Sequence, residues 1–224
     1  MSVESEEYLN FSNKINEYIS AYMLGVDMNL KEYNFNYMWE EIISKGISVR
    51  PFPFERAARR SISGMIVKDD YEVTLAFNAN MPAKRKNFTI SHELTHFLYH
   101  LNNSNRIFTD TKETLNYSFS DLLPEFQANI GASAILLPDV VFIQELKDGT
   151  NPAKLSDTYG ISENAIYIKL VQLMQANFEA SFGAASTTAN KIMRGNFSNI
   201  EKTLGKNLER KLINSNPFYE ALCI

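Results

Sequence analysis

The sequence has almost no cysteine and no long apolar run. One of its 224 residues is a cysteine, Cys223, so no internal disulfide can form. No apolar run approaches the roughly 20 residues that a membrane-spanning helix needs. The first residues include Glu4, Glu6 and Glu7, whose negative charge is the opposite of what a signal peptide carries. We therefore expect a cytoplasmic protein that does not interact with a membrane.

Histidine is also scarce, but its three copies are concentrated in residues 91–100. His92 and His96 are four positions apart, so on a helix both imidazoles lie on one face and can bind one Zn²⁺. Glu93 lies beside them, where a carboxylate can accept a proton from an attacking water. The apolar spacing around them predicts a helix that begins near Pro82. The pattern predicts a zinc hydrolase of peptide bonds. The alternatives are a helix with two solvated histidines and a core helix whose histidines bond to the backbone.

A catalytic zinc site has three protein ligands and one open position, so a third ligand is needed. Glu125 is the best candidate, because it lies in a mostly apolar segment of small residues, 122–138, which predicts a buried helix. A buried carboxylate needs a partner, and a metal ion is one. The alternative is a solvated glutamate in the first turn of a helix. Asn129 lies one turn later, where its oxygen can accept the free N–H of a ligand imidazole.

His100 is the last histidine of the cluster. It lies eight residues after His92, which on a helix turns it about 80° away, since each residue turns about 100°. We therefore interpret His100 as a helix-capping residue or a hydrogen-bond partner of a ligand, and not as a ligand itself.

These blocks resemble the ImmA/IrrE family of metallopeptidases. Arg85–His96 is similar to the family's R-x-x-F-T-x-A-H-E-x-G-H block. Glu125–Asn129 and Leu136–Pro138 are similar to its E-x-x-A-N block and the L-x-P that closes it. The resemblance covers roughly residues 35–173.

The resemblance implies zinc ligands at His92, His96 and Glu125 and a catalytic glutamate at Glu93. It implies an α+β fold, a mainly helical zincin-like (minimal gluzincin-like) domain with a small antiparallel sheet before the HExxH helix, followed by a helical C-terminal region. It also implies a partner. Family members typically cleave a cognate helix-turn-helix repressor at one site, which releases genes of mobile elements, prophages or stress responses.

Two positions depart from the family pattern. Thr95 stands where the family mostly has glycine, and Ile130-Gly131 replaces its usual Phe-Ala. Thr95 adds bulk where we expect two helices to approach each other, which bears on packing more than on chemistry.

Proline, glycine and apolar periodicity divide the rest of the chain. The predicted regions are an N-terminal helical extension (1–34), a metallopeptidase domain (35–138), a helix-turn-helix-like subdomain (139–175) and a C-terminal helical tail (176–224). The predicted helices are 5–24, 35–45, 138–147, 152–159, 162–173 and a late one containing 200–212; the predicted strands are 47–50 and a hairpin of 63–67 with 72–78. No element is predicted for 180–190.

The order of strands followed by the HExxH helix places an edge strand beside the zinc. Phe77 and Asn78 end the strand nearest that helix, so they are candidates for bordering the cleft, although each also fits a plain sheet residue. An extended substrate would pair with such an edge through backbone hydrogen bonds. The polar stretch 102–120 is long for a connection, and we expect it to border the site and limit which substrates enter.

A different function is a DNA-binding or protein-docking regulator that uses the helix-turn-helix-like segment 155–170. The charge disfavours DNA, because the chain has a formal net charge of −4. Its candidate recognition helix, 162–170, offers Lys169 against Glu163, whereas DNA binding needs several basic side chains. We do not expect direct DNA binding. A non-catalytic zinc protein is a further alternative, but structural sites usually have four cysteine or histidine ligands, which this chain does not offer.

Overall fold

The helices and strands follow the hydrophobic periodicity of the sequence over most of the chain. The computed structural model describes residues 2–53, 62–101, 107–111, 119–195 and 199–223. The helices are α1 (Val3–Gly25), a short 3-10 helix (Leu30–Glu32), α2 (Phe35–Ile43), α3 (Ala83–Tyr99), α4 (Phe119–Leu136), α5 (Asp139–Asp148), α6 (Pro152–Thr158), α7 (Glu163–Phe178), α8 (Phe182–Met193), α9 (Ile200–Ser215) and α10 (Tyr219–Leu222). The strands are β1 (Ile47–Phe52), β2 (Ile62–Lys68), β3 (Val73–Asn78) and β4 (Ile107–Thr111).

The chain divides into two units, residues 35–136 and residues 1–34 with 137–224. The first contains the four strands together with α2, α3 and α4, and the second is helical. The fold class is therefore the predicted mainly helical α+β. Among the described residues no single helix is long and apolar enough to cross a membrane, although the bent pair Leu123–Leu136 and Asp139–Asp148 together has the required length and composition.

The sheet has the order β1-β3-β2-β4 and is mixed, where an antiparallel sheet was predicted. The predicted hairpin is present as antiparallel β2 and β3. The difference comes from β1, which runs parallel to β3 along the side that β2 leaves open. The fourth strand, β4, follows the HExxH helix in sequence and pairs antiparallel with β2. It lies in the polar stretch where no strand was predicted.

The prediction that Phe77 and Asn78 lie on an edge strand is wrong. Both belong to β3, which is an inner strand. Phe77 is paired with Pro51 of β1 on one side and with Gly64 of β2 on the other. Because both edges of β3 carry sheet partners, its backbone groups cannot receive a substrate strand.

The helical unit is built on apolar stripes. In α1 the side chains of Ile15, Ile19 and Met23 are fully buried, and this helix contacts α5 and α7. Helix α8 occupies the segment for which no element was predicted. Its buried positions include Ala185 and Ala189, whose small side chains give a weak hydrophobic signal even though alanine is the best helix former.

A buried ion pair joins α5 to α7 within the helical unit. Lys169 Nζ lies 2.5 Å from Asp139 Oδ1, and the two side chains are 2% and 7% exposed. Ser12 Oγ donates to Asp139 Oδ2 at 3.1 Å, and the Asp139 N–H donates to Asn16 Oδ1 at 2.7 Å. Lys169, the lysine of the helix-turn-helix-like segment, is therefore buried in an ion pair and is not available at the surface.

Candidate metal centre

Helix α3 positions the two histidines of the HExxH motif inside the first unit. The helix begins directly after Pro82, close to the predicted start, and Pro82 is its N-cap residue, one position before the first helical position that proline favours. Its middle section is buried, with His92 at 2% and His96 at 1% exposure. Trp39 of α2 donates from Nε1 to Ser91 Oγ at 2.9 Å, which ties α2 to the residue before the motif.

Glu125 of α4 faces both histidines. Its Oε2 lies 3.2 Å from His92 Nε2, and its Oε1 lies 3.3 Å from His96 Nε2. The two Nε2 atoms are 3.1 Å apart. One donor atom from each of the three residues lies within 4.8 Å of the others. Two residues from one helix and one from a second helix thus converge on a single point.

These distances fit a tetrahedral zinc ion. With zinc–ligand bonds of about 2.05 Å, two ligands of a tetrahedron are about 3.3 Å apart, since the edge is about 1.63 times the bond. The Nε2 atoms of His92 and His96 are 3.1 Å apart, close to that value. The two histidines face different oxygens of Glu125, at 3.2 Å and 3.3 Å, and with one oxygen taken as the ligand all three ligand atoms lie within 4.8 Å of one another. Two imidazole nitrogens and one carboxylate are also a donor set that zinc accepts in catalytic sites. The residues present therefore fit the ion that the sequence predicts.

The remaining imidazole nitrogens are held by hydrogen bonds that orient the rings. His92 Nδ1 lies 3.1 Å from Asn129 Oδ1, one turn after Glu125 on α4. His96 Nδ1 lies 2.9 Å from His100 Nδ1. Both predicted outer partners, Asn129 and His100, are thus in contact with the two histidines, and each leaves an Nε2 directed at Glu125. Such outer bonds fix the ring orientation and tautomer of a metal ligand.

The charge states of the cluster suit a divalent cation. Burial lowers the pKa of His96 to about 4, so this imidazole is neutral at neutral pH. Burial alone would raise the pKa of Glu125, but its interactions with His92 and His96 outweigh that effect and hold the pKa at about 2. A neutral imidazole and an ionised carboxylate are the forms that bind metal, because each offers a free lone pair.

Glu93 lies on α3 with its side chain completely buried. Strand β2 passes close to it at Gly64. A Cβ atom built on Gly64 would lie 3.1 Å from Glu93 Oε1 and 2.5 Å from Thr89 Cγ2. Sequence reasoning missed Gly64, although a glycine inside a strand pattern is a signal for close backbone approach. The glycine allows the strand to pack against the helix turn that carries the glutamate.

The remaining predicted site residues lie at the entry to α3. Asn78 is buried, and its Oδ1 accepts a hydrogen bond from the Asn80 N–H in the turn before the helix. Phe77 is half-buried, with Lys86 Nζ 5.9 Å from its ring centre. These two residues shape the turn into the metal helix. Of the polar stretch predicted to border the site, residues 102–106 and 112–118 lie outside the described residues.

The close approach of α3 and α4 depends on the two positions that depart from the family pattern. A Cβ atom built on Gly131 would lie 2.3 Å from Thr95 Cγ2 and 2.4 Å from Thr95 Oγ1. Thr95 Oγ1 also donates to the Ser91 carbonyl at 2.9 Å, which fixes its rotamer. The extra bulk on α3 is thus matched by a missing side chain on α4.

We expect Gly131→Ala to destabilise the protein by about 1–3 kcal/mol, the usual cost of overpacking a tight contact. In a Thr95→Gly background the same change should cost much less, because the colliding groups are gone. Urea unfolding of the wild type, both single variants and the double variant measures the coupling and cancels the helix-propensity cost of glycine. Additive effects would contradict the pairing of these two positions.

The comparisons agree with this site. Comparison with curated proteins finds no significant match. Residues 44–171 match the family described as the IrrE N-terminal-like domain, a peptidase family. The matched segment covers more than half of the chain and includes both histidines, Glu93 and Glu125. The resemblance predicted from the HExxH and E-x-x-A-N blocks is confirmed, and the chain belongs to the IrrE N-terminal-like family, whose function is of the metallopeptidase type.

Proposed function

We propose that the protein is a zinc-dependent endopeptidase. The observation that carries the proposal is the convergence of His92, His96 and Glu125, whose ligand atoms lie within 4.8 Å of one another around a point that one tetrahedral zinc ion would fill. Three ligands leave one position of that tetrahedron open, as in catalytic zinc sites. A family of metallopeptidase type supports the same assignment.

In this proposal the bound ion supplies Lewis-acid chemistry, polarising the scissile carbonyl and making water more acidic. Glu93 is the base that takes the proton from the attacking water and then delivers it to the leaving amine. Glu93 follows His92 on the same buried helix section and is not among the three residues whose ligand atoms cluster, which supports a role beside the ligand set. Burial of the carboxylate keeps competing solvent away from the transferred proton.

We propose that an extended substrate pairs with β4, in place of the β3 edge that the sequence predicted. In the described part of the sheet β4 is the outermost strand on that side, with β2 as its partner. It also contacts α3, the helix that carries the motif. A substrate strand added at this edge would gain backbone hydrogen bonds without requiring a particular side-chain sequence.

For the substrate we propose a cognate helix-turn-helix repressor, cleaved at one site in the cytoplasm. This part rests on the resemblance to ImmA/IrrE proteins. The regulator alternative loses its main support, because Lys169, the basic residue of the candidate recognition helix, is 2% exposed and paired with Asp139. A helix without available cations is poorly equipped for phosphate contacts.

The direct test first identifies a helix-turn-helix repressor encoded beside the gene and then incubates it with the purified protein. With zinc present, we expect the repressor to be converted into two fragments, and a chelator should stop the reaction until excess zinc is returned. Casein serves as the control substrate and should stay intact, because a site-specific peptidase does not degrade unfolded protein generally. A repressor that remains whole with zinc present would contradict the proposed substrate.

A further inference from the structure

A chain of hydrogen bonds extends from His96 away from the metal ligands to a side chain that sequence reasoning did not single out. His96 Nδ1 lies 2.9 Å from His100 Nδ1. His100 Nε2 lies 2.8 Å from Gln127 Oε1. In this relay His100 is 9% exposed, and Gln127 is partly exposed. Gln127 is on α4, two residues after Glu125, and the relay therefore links the two metal helices a second time.

A zinc ion on His96 Nε2 would leave the proton of that ring on Nδ1, and the direction of this chain is then fixed by what each atom can donate. The amide oxygen of Gln127 only accepts, so His100 must carry its proton on Nε2. A neutral His100 with a proton on Nε2 has a lone pair on Nδ1, which can only accept. His96 must then donate from Nδ1, which leaves the lone pair on its Nε2. That nitrogen is the one that faces Glu125, 3.3 Å from Oε1.

We propose that Gln127 acts through His100 as a positioning residue for the metal site, selecting the tautomer of His96 that presents a lone pair to zinc. The inference rests on the metal site of the proposed function. Asn129 has the same effect on His92 directly, because its Oδ1 lies 3.1 Å from His92 Nδ1 and accepts a hydrogen bond from that nitrogen. Both ligand imidazoles are therefore set by an amide oxygen on α4, one through a single hydrogen bond and the other through two.

Substitutions at Gln127 can preserve, remove or reverse the acceptor. Gln127→Glu keeps an acceptor for His100 Nε2–H. Gln127→Met has similar length and no comparable acceptor. Gln127→Lys presents a donor, so His100 would have to accept on Nε2 and donate from Nδ1, and His96 would be forced into the tautomer with its proton on Nε2.

The first measurement is the ¹⁵N spectrum of the imidazoles in the zinc-loaded full chain, which reports which nitrogen of His100 carries the proton. We expect the Nε2–H form of His100 in the wild type and in Gln127→Glu, and the Nδ1–H form in Gln127→Lys. A wild-type His100 protonated on Nδ1 would overturn the proposal. Because the readout is the position of a proton and not cleavage, this result stands whether or not the protein proves to be a peptidase.

The second measurement is zinc affinity by competition with a chelator. Removing an outer hydrogen-bond partner typically weakens metal binding 10- to 100-fold. We expect Gln127→Glu to bind zinc at least as tightly as the wild type, Gln127→Met about 10-fold more weakly and Gln127→Lys about 100-fold more weakly. His100→Phe fills a similar space but makes neither hydrogen bond, so it should also bind zinc more weakly than the wild type.

Asn129→Met is the matched control, because it removes the acceptor of the other ligand. It should weaken zinc binding about 10-fold and leave the His96 and His100 signals unchanged. Thermal unfolding of each metal-free variant separates positioning from simple support of the fold. Zinc affinity should decrease in the order Gln127→Glu, Gln127→Met and Gln127→Lys. If it instead follows the unfolding temperature of the variants, then Gln127 has only a structural role and the proposal fails.

Discussion

Replacing Glu93 with glutamine is expected to stop peptide cleavage while leaving the metal site filled. The amide has nearly the shape of the carboxylate, so the fully buried position can accept it without a large cavity or clash. It cannot take a proton from water, however, and general base catalysis contributes about 10²- to 10⁴-fold to such reactions. We expect a fall in kcat/KM of at least about 10²-fold with substrate affinity retained.

The measurement pairs cleavage rate with zinc content, and Glu125→Gln is the matched comparison. Glu125 supplies a donor atom to the cluster, so its amide variant should lose zinc as well as activity. Glu93→Gln should retain one zinc per chain and lose activity alone. Cleavage at the wild-type rate by Glu93→Gln would remove this residue from the mechanism, and equal zinc loss in both variants would make Glu93 part of the binding site.

The local part of the site was accessible from sequence because helical geometry is short-range. A spacing of four residues places His92 and His96 on one face wherever the helix lies. The apolar surroundings of Glu125 also predicted a buried helix, and a buried carboxylate called for a cation. Both arguments need only the neighbours along the chain. Asn129 and His100 were reached in the same way, through their helical distance from the ligands.

The parts that sequence missed depend on contacts between distant segments. The alternation of β3 identifies a strand but does not say which strands flank it, so Phe77 and Asn78 were assigned to an edge that β1 covers. Strand β4 has five residues, of which four are Ile, Phe or Thr and favour a strand, but so short a run inside a polar stretch gave no clear signal, and its pairing with β2 depends on a distant segment. Gly64 and Gly131 owe their importance to side chains of α3 that approach them, Glu93, Thr89 and Thr95.

Breaking the buried pair of the helical unit should have the largest effect on stability. Lys169→Met removes the cation 2.5 Å from Asp139 Oδ1 and leaves a carboxylate that is 7% exposed without it. An uncompensated buried charge typically costs about 3–5 kcal/mol. We expect a loss of that size in the free energy of unfolding, measured by urea denaturation followed through circular dichroism.

The double variant Lys169→Met with Asp139→Asn tests whether the cost comes from charge. Asparagine keeps an oxygen that can accept from Ser12 Oγ, which donates to Asp139 Oδ2 at 3.1 Å in the wild type. With no buried charge left, most of the lost stability should return, since replacing both partners of an ion pair is often nearly neutral. A double variant as unstable as Lys169→Met would assign the cost to packing of the lysine stem, which lies against α5 with its Nζ 5.9 Å from the Phe142 ring centre. Under either result, the Lys169 side chain of the wild type contributes to the stability of the helical unit from a buried position and is not available to bind DNA.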